Sequence, residues 1–202
     1  MTQIVLPLAR AATGPARIVL GAGNAQVAEA LAHPESWPFR TAVLTGPPRS
    51  GKTLFARWFA ESGGGDAIDD AQAMDEAELF HRWNRAQEQG RPLLIVGGEP
   101  PWAIRLPDLK SRLGAALQLE IGPPDDAMAA ELIRAMAEER ALPLGGDAAP
   151  YLVPRAERSY LQLEKLVEAI DRLSLERKAP PTLAIWRAAL EAVQGPEEPR
   201  LL

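Results

Sequence analysis

The chain has 202 residues, of which 47% are hydrophobic and 24% are charged, and its formal net charge is −5. These values are those of an ordinary soluble globular protein that is long enough for one core and a small second lobe. Cysteine is absent and there are only two histidines. Disulfides and thiolate metal sites are therefore excluded, and a structural zinc site has no support.

Membrane and nucleic-acid functions also find little support. No apolar run approaches the roughly 18 residues that a membrane-spanning helix needs, and the first eight residues lack the basic flank and long apolar stretch of a secretory signal. We therefore expect a cytoplasmic protein without a membrane contact. Because the acidic chain has no basic run with which to release counterions from a phosphate backbone, we expect no direct sequence-specific DNA binding.

The amino-terminal part of the chain predicts alternating extended and helical segments. Residues 9–16 are small and rich in breakers, which is typical of a tether. A short extended piece is predicted over residues 17–20 and a helix over residues 24–31, with Asn24 as its N-cap. A β-type run, Thr41–Thr45, precedes a glycine-rich loop, and residues 53–61 then predict an amphipathic helix.

The middle of the chain continues the alternation. Residues 67–68 form a very short apolar piece, and residues 75–89 carry apolar side chains at helical spacing. Leu93–Val96 is continuously apolar, as expected of a strand that is buried on both faces, and residues 117–121 predict a further strand. The pattern indicates an α/β layer with a parallel sheet.

After Pro123 and Pro124 the pattern becomes helical only. Helices are predicted over residues 125–142, 148–153, 155–178 and 182–193. We therefore divide the chain into an amino-terminal peptide and tether (1–16), an α/β nucleotide-binding unit (17–122) and an all-helical lid (123–202).

The loop between the strand Thr41–Thr45 and the following helix fits the pattern G-x-x-x-x-G-K-[ST]. In this context, backbone N–H groups and the helix N-terminus are expected to bind phosphate oxygens. The Lys52 ammonium is expected to neutralise the β- and γ-phosphates of ADP or ATP, and the Thr53 hydroxyl to bind Mg²⁺. The predicted phosphate loop consists of Gly46, Pro47, Pro48, Arg49, Ser50, Gly51, Lys52 and Thr53.

A phosphate loop needs a carboxylate at the end of a neighbouring strand to hold Mg²⁺. Asp69 and Asp70 follow the short apolar piece at residues 67–68. We predict that Asp69 binds the metal and that Asp70 orients the attacking water. The alternative is that the two carboxylates only cap the following turn.

With these motifs placed, the chain resembles the DnaA-related AAA+ family from residue 3 to about residue 193. Residues 20–28 are similar to the family's G-x-x-N-x-x-A segment, which implies that Asn24 lies beside the adenine. Asp69 and Asp70 match the family's Walker B pair, and Pro100-Pro101 matches the turn after its sensor 1. The resemblance implies an AAA+ P-loop NTPase core followed by a small helical lid.

The same resemblance implies roles for two arginines. Residues 106–113 are similar to the L-x-x-L-x-S-R-[LF] motif, in which Arg112 would be an arginine finger acting in trans on a neighbour's ATP. The alternative is a solvated surface arginine. Arg158 falls where sensor 2 would contact the nucleotide, with Arg155 as its rival, although Arg158 could instead pair with Glu157 or Glu164.

The amino-terminal hexamer resembles the peptide with which members of this family bind the sliding clamp of DNA polymerase III. An extended peptide of this kind inserts apolar side chains into a preformed pocket. The alternative is an edge strand, the more common structure for an apolar amino terminus. The predicted clamp-binding residues are Gln3, Ile4, Val5, Leu6, Pro7 and Leu8.

The sequence departs from the family in three places. Lys52 and Asp69 are only 17 positions apart, which predicts a sheet that lacks one edge strand. Gly97, Gly98 and Glu99 replace the polar sensor 1 residue. From these two departures we expect a protein that binds ADP or ATP with Mg²⁺ and hydrolyses it poorly. Third, the basic helix-turn-helix domain with which DnaA reads DNA is not found in these residues, and we expect the protein to meet DNA through the clamp and not by reading bases.

The resemblance implies a regulator of replication initiation that is tethered to the sliding clamp and promotes hydrolysis of ATP on DnaA. Two alternatives stay open: an adaptor for the clamp or DnaA whose nucleotide is purely structural, and a small P-loop kinase. The sequence does not decide whether the protein forms a homo-oligomer.

Overall fold

The structure is a computed structural model that describes residues 6–7 and 17–195. The chain divides into two compact units, whose boundary falls between Gly122 and Pro123. In the first unit the elements are, in order, β1 (Leu6–Pro7), β2 (Arg17–Ile18), α1 (Ala25–Ala32), β3 (Thr41–Thr45), α2 (Lys52–Glu61), β4 (Asp66–Ile68), α3 (Glu76–Glu88), β5 (Leu93–Val96), α4 (Pro107–Ala115) and β6 (Leu117–Glu120).

The central sheet of the first unit is parallel, and its strands lie in the order β4-β5-β3-β6. The register places Ala42 of β3 opposite Leu94 of β5 and Leu117 of β6. All four residues of β5 are buried, with at most 2% of any of them exposed, as predicted for a strand covered on both faces. The predicted α/β architecture and its strands are confirmed.

The predicted loss of a strand is also confirmed within the described residues. The sheet has four strands, and the three-residue β4 lies at its edge beside β5. Two glycines make the short connection from α2 to β4 sterically feasible. A Cβ at Gly65 would lie 2.3 Å from the Pro92 carbonyl oxygen, and one at Gly64 would lie 2.5 Å from the Phe59 ring.

The helices cover both faces of this sheet. One core cluster joins Val43 and Ile95 to apolar residues of α3 and α4, including Leu79 and Leu109. Because side chains alternate along a strand, the intervening buried residues of β3 and β5 face the opposite side. The helix α2 contacts β4 and β5, and the Phe59 ring of α2 stacks on Trp37 at a centroid distance of 5.2 Å.

The second unit consists of helices around one apolar core. Its elements are α5 (Asp126–Glu139), α6 (Ala148–Leu152), α7 (Tyr160–Arg177) and α8 (Leu183–Gln194). Each predicted helix is present, but α7 begins five residues later than predicted. The Ser159 hydroxyl accepts the Gln162 N–H at 3.2 Å and caps the helix there. None of the described helices has the length and apolar character to cross a membrane.

Two leucines of α7 test this account of the helical core. Leu166 is 1% exposed and Leu175 is 71% exposed. We expect Leu166→Ala to lower the free energy of unfolding of this unit by about 2–5 kcal/mol, because it leaves a cavity. Leu175→Ala, the matched control in the same helix, should change it by about 0.5 kcal/mol or less. Denaturant unfolding followed by circular dichroism measures both values, and equal effects would contradict the assignment of the core.

Candidate functional site

The predicted phosphate loop, residues 46–53, connects the end of β3 to the start of α2. Gly46 has φ 152°, and a Cβ there would lie 3.0 Å from the Ile121 Cβ and 3.1 Å from the Ile121 carbonyl oxygen. Its N–H donates to the Gly98 carbonyl at 3.2 Å. The loop therefore begins at a point where the chain after β3 is packed against the ends of β5 and β6, and only glycine fits there.

Lys52 lies over the loop. Its Nζ donates to the carbonyl oxygens of Gly46 at 2.8 Å and Pro47 at 2.9 Å. Burial lowers the pKa of Lys52, and the carboxylates of Asp69 and Glu99 act in the opposite direction. The lysine is thus a half-buried cation that two carboxylates approach from neighbouring strand ends.

The start of α2 has no side-chain cap from its N-cap residue. Gly51 occupies the N-cap position with φ 90°, and glycine has no side chain that could accept a helix N–H. The first N–H groups of a helix have no partner inside the helix. Ser50 is only 5% exposed, and its hydroxyl oxygen is buried without a hydrogen-bond partner among the described residues.

These groups suit a phosphate. The N–H donors at the start of a helix, the positive helix end, a buried hydroxyl without a partner among the described residues and a lysine ammonium are together the groups that make up an anion-binding cup. A nucleotide di- or triphosphate matches this donor set, and a neutral ligand does not. The residues present therefore fit the nucleotide that the motif implies.

Asp69 and Asp70 follow β4 and are exposed. The Asp69 Oδ1 accepts the Asp70 N–H at 3.0 Å, and Asp70 has φ 51° and caps no helix with its side chain. Instead, Asp75 accepts N–H groups of Ala77 and Glu78 at the start of α3. The structure thus gives the pair no capping role in the following 3₁₀ turn.

A bound Mg²⁺ would need ligands besides these carboxylates. Within the described residues no three His, Cys, Asp or Glu side chains come together as a metal site. Protein-bound Mg²⁺ commonly has only one or two carboxylate ligands and takes the rest from phosphates and water. Thr53, in the first turn of α2, and Asp69, after β4, remain the predicted protein groups for it.

Asn24 is 2% exposed and binds backbone groups of its own segment. Its Oδ1 accepts the Gly21 N–H at 3.0 Å, and its Nδ2 donates to the Val19 carbonyl at 2.9 Å. It occupies the N-cap position of α1 but makes no capping hydrogen bond. The predicted N-cap position is therefore confirmed, but the side-chain amide closes the preceding loop and does not cap the helix. The Gly23 carbonyl of that loop accepts the Gly122 N–H at 2.8 Å.

Arg112 has an environment that the motif did not predict. Its guanidinium lies over the ring of Phe80 at 4.5 Å and over the ring of Trp83 at 4.4 Å from the centroids. One N–H group donates to the Asn84 Oδ1 at 2.5 Å. The side chain is half-buried between α3 and α4 and forms no salt bridge with a described carboxylate. The alternative of a fully solvated arginine is therefore wrong.

The two arginines considered for sensor 2 lie in the second unit. Arg158 is part of the loop before α7 and not of the helix, which was predicted to begin at residue 155. It forms an ion pair with Asp126, not with Glu157 or Glu164. The Arg155 guanidinium lies 4.2 Å from the centroid of the Tyr151 ring. Their roles at a nucleotide stay predictions.

Only Leu6 and Pro7 of the predicted clamp-binding hexamer are described. Their backbone pairs antiparallel with Ile18 and Arg17, so these two residues form the short strand that was the alternative. Gln3, Ile4, Val5 and Leu8 lie outside the described residues, as does the whole tether at 9–16.

A cavity of about 420 Å³ opens beside the carboxyl ends of β3 and β6, and no predicted site residue lines it. Its wall is mainly apolar, with Trp102, Ile104 and Leu113 among the lining residues, and Lys110 and Glu120 add charge. It is therefore separate from the phosphate loop.

Sequence reasoning missed three groups at or near these sites. The carboxylate of Glu99 acts on Lys52, and the Gln72 amide lies against Gly98. Glu76 holds the segment that leads into α4, because its carboxylate accepts the N–H groups of Arg105 at 3.0 Å and Leu106 at 2.6 Å. No local sequence pattern could have predicted these contacts, because they form only in the folded chain. The partners of Glu76, for example, are about thirty positions away from it.

The strand β3, the glycine-lysine loop after it and the helix α2 lie at the carboxyl end of a parallel sheet. They define the class of the fold, which is that of a P-loop NTPase core. No family model matches the sequence. Solved structures nevertheless share the fold. Domain III of the Thermotoga maritima replication initiation protein DnaA matches with a TM-score of 0.72 at 16% identity, over 89% of this chain and 95% of that one.

Two further structures agree. AMPPCP-bound DnaA from Aquifex aeolicus matches with a TM-score of 0.57 at 19% identity, over 80% of this chain and 66% of that one. The Thermotoga maritima RuvB branch-migration motor matches with a TM-score of 0.62 at 20% identity, over 89% and 73%. The chain therefore has a DnaA-like AAA+ fold, as the sequence predicted.

The Glu76 contact predicts a pH-dependent stability. The N–H groups of Arg105 and Leu106 lower the pKa of Glu76 from its ordinary 4.5. A lowered folded-state pKa stabilises the protein above the unfolded-state pKa, and this contribution is lost as the pH falls through the folded value. We expect Glu76→Gln to lower the melting temperature at pH 7, and the difference from the parent to shrink towards pH 3.

Glu78→Gln is the matched control. It removes the same charge from the same turn but only breaks an exposed ion pair with Arg82, and such pairs contribute little. Melting curves at both pH values compare the variants. A Glu76→Gln effect that is the same at pH 7 and pH 3 would rule out the ionised contact.

Proposed function

We propose that this chain binds ADP or ATP with Mg²⁺ in the loop of residues 46–53 and, in this form, promotes hydrolysis of ATP bound to DnaA. It would thereby act as an Hda-like inactivator and restrain replication initiation. The observation that carries the proposal is the anion cup around Lys52, formed by the N–H groups at the start of α2, the buried Ser50 hydroxyl and the lysine ammonium.

The protein groups of the cup have different roles in nucleotide binding. Lys52 exchanges its hydrogen bonds with the carbonyls of Gly46 and Pro47 for phosphate oxygens, which carry full charge and are stronger acceptors. Mg²⁺ would neutralise phosphate charge between Thr53 and Asp69. The close packing of Gly46 on Ile121 keeps the loop in place.

The residues around the cup also lead us to expect that the chain hydrolyses its own ATP only weakly. Asp69 and Asp70 stand exposed at the end of a three-residue edge strand, so water competes for their contacts. Gly97, Gly98 and Glu99 stand where the family has its polar sensor 1 residue, and the two glycines provide no side chain there. Binding depends on the loop, whereas hydrolysis depends on these weakened parts.

Arg112 is proposed to act in trans on the ATP of DnaA. The contacts of its side chain support this role. The guanidinium packs against the rings of Phe80 and Trp83, and one of its five N–H groups donates a hydrogen bond to Asn84. No described carboxylate neutralises it. Such a planar, preorganised cation is suited to binding phosphate oxygens.

The hexamer at residues 3–8 is proposed to bind the sliding clamp of DNA polymerase III, and the tether would then concentrate the protein near newly made DNA. Sequence resemblance alone supports this step. Leu6 and Pro7 would leave their two-residue ladder with Arg17 and Ile18, a small loss because the ladder is so short.

A second candidate is an adaptor for the clamp or DnaA in which the nucleotide is only structural. The exposed Asp69 and the missing side chain at Gly98 favour it, because both reduce the capacity for nucleotide chemistry. The two candidates differ in what loss of the nucleotide does to folding and to DnaA inactivation.

Lys52→Ala tests nucleotide binding. Loss of a charge-assisted hydrogen bond costs about 1.5–3 kcal/mol, so we expect affinity for ADP and for a non-hydrolysable ATP analogue to fall at least about tenfold. Lys165→Ala, an exposed lysine of α7, should bind as the parent does. Calorimetry gives the affinities. If Lys52→Ala keeps the parental affinity, the cup is not the nucleotide site; if it fails to fold, the adaptor candidate gains.

Arg112→Ala tests the action on DnaA. In an assay with ATP-DnaA and DNA-loaded clamp, we expect stimulation of hydrolysis to fall by roughly 10³-fold or to background, while binding of nucleotide by the variant is unchanged. Lys110→Ala, on the same helix and exposed, is the control. Full stimulation by Arg112→Ala would refute the role in trans. Because the aromatic contacts also stabilise the fold, melting curves must show that the variant is folded.

A further inference from the structure

The side chain of Gln72 occupies the space that a side chain at position 98 would fill. A Cβ at Gly98 would lie 2.8 Å from both the Nε2 and the Oε1 of Gln72 and 2.9 Å from its Cδ. Atoms of this kind do not approach so closely, so the Gln72 amide and a side chain at residue 98 exclude each other. Gln72 belongs to the 3₁₀ turn Ala71–Ala73, directly after the Asp69-Asp70 pair.

That space adjoins the phosphate loop. The Gly98 carbonyl accepts the N–H of Gly46, the first residue of the loop, at 3.2 Å. The charges of Asp69 and Glu99, which lie in the two segments that carry Gln72 and Gly98, both act on Lys52. The Gln72 amide is therefore between two segments that converge on the cation of the cup.

The amide is also available to a ligand. The Gln72 side chain is exposed, and it makes no hydrogen bond to any described residue. A carboxamide offers two N–H donors and one acceptor oxygen. Nothing in the described part of the chain competes for these groups.

We propose that the Gln72 carboxamide contacts the terminal phosphate of a bound nucleoside triphosphate, in the space left by the missing side chain of Gly98. It is thus a specificity-determining residue that favours a triphosphate over a diphosphate. The inference rests on the proposed nucleotide binding and deepens it. It also explains why position 98 is glycine: a side chain there would displace the amide from the ligand.

The first test compares AMPPCP and ADP as probes by calorimetry on the full chain. Gln72→Ala should weaken binding of AMPPCP at least about tenfold, the loss expected for one hydrogen bond to a charged phosphate, and change binding of ADP less than about twofold. Gln89→Ala makes the same chemical change at an exposed residue at the far end of α3 and should bind both probes as the parent does. Melting curves check that each variant folds.

The second test separates a ligand contact from a merely structural role by rescue. The backbone of Gly98 lies outside the left-handed region, so an asparagine fits there once Gln72→Ala has removed the amide that occupies the space. We expect the double variant Gln72→Ala with Gly98→Asn to recover the AMPPCP affinity lost in Gln72→Ala, because its own amide enters the same space.

The outcomes distinguish this inference from the proposed function. If the parent binds both probes and Gln72→Ala weakens them equally or not at all, the inference is wrong and nucleotide binding stands. Failure of the double variant to recover AMPPCP binding also overturns it. If the parent binds neither probe, the proposed function fails and the inference fails with it.

Discussion

The structure of the first unit depends on the close contact between Gly46 and Ile121, together with the two hydrogen bonds from the Lys52 ammonium to the loop carbonyls. The contact joins the ends of β3 and β6, and the Gly46 N–H ties the same point to Gly98 after β5. Gly46, at the end of β3, thus lies against the segments that follow β5 and β6. This is why a sheet of only four strands can still present a formed loop at the N-terminus of α2.

The local sequence pattern was sufficient to predict most of the fold, because most helices and strands are determined by residues that are close in the chain. Leu93–Val96 is a strand because four consecutive apolar residues must be buried on both faces, and its limits were predicted without error. The start of α7 was misplaced because helical periodicity extends upstream of Ser159, whereas capping by that hydroxyl decides where the helix begins. The missing edge strand was predictable from spacing alone, since the chain between Lys52 and Asp69 is too short for another strand and helix.

Local pattern was insufficient for the candidate site wherever a contact joins distant segments. The phosphate loop could be read from the sequence because its donors are neighbours in the chain. The aromatic environment of Arg112 could not, since Phe80 and Trp83 lie on another helix and only packing brings them to the guanidinium. The contact between Gln72 and Gly98 was equally hidden, because a glycine has no side chain to suggest a partner.

The short edge strand has a consequence for how the protein behaves at high concentration. An edge strand exposes backbone donors and acceptors that can recruit a strand from another molecule, and natural proteins counter this with short edges and charged flanks. The strand β4 spans only Asp66–Ile68, begins with an acidic residue that is paired with Arg91, and is followed directly by Asp69 and Asp70. The same carboxylates that are candidates for metal chemistry therefore also discourage aggregation along this edge.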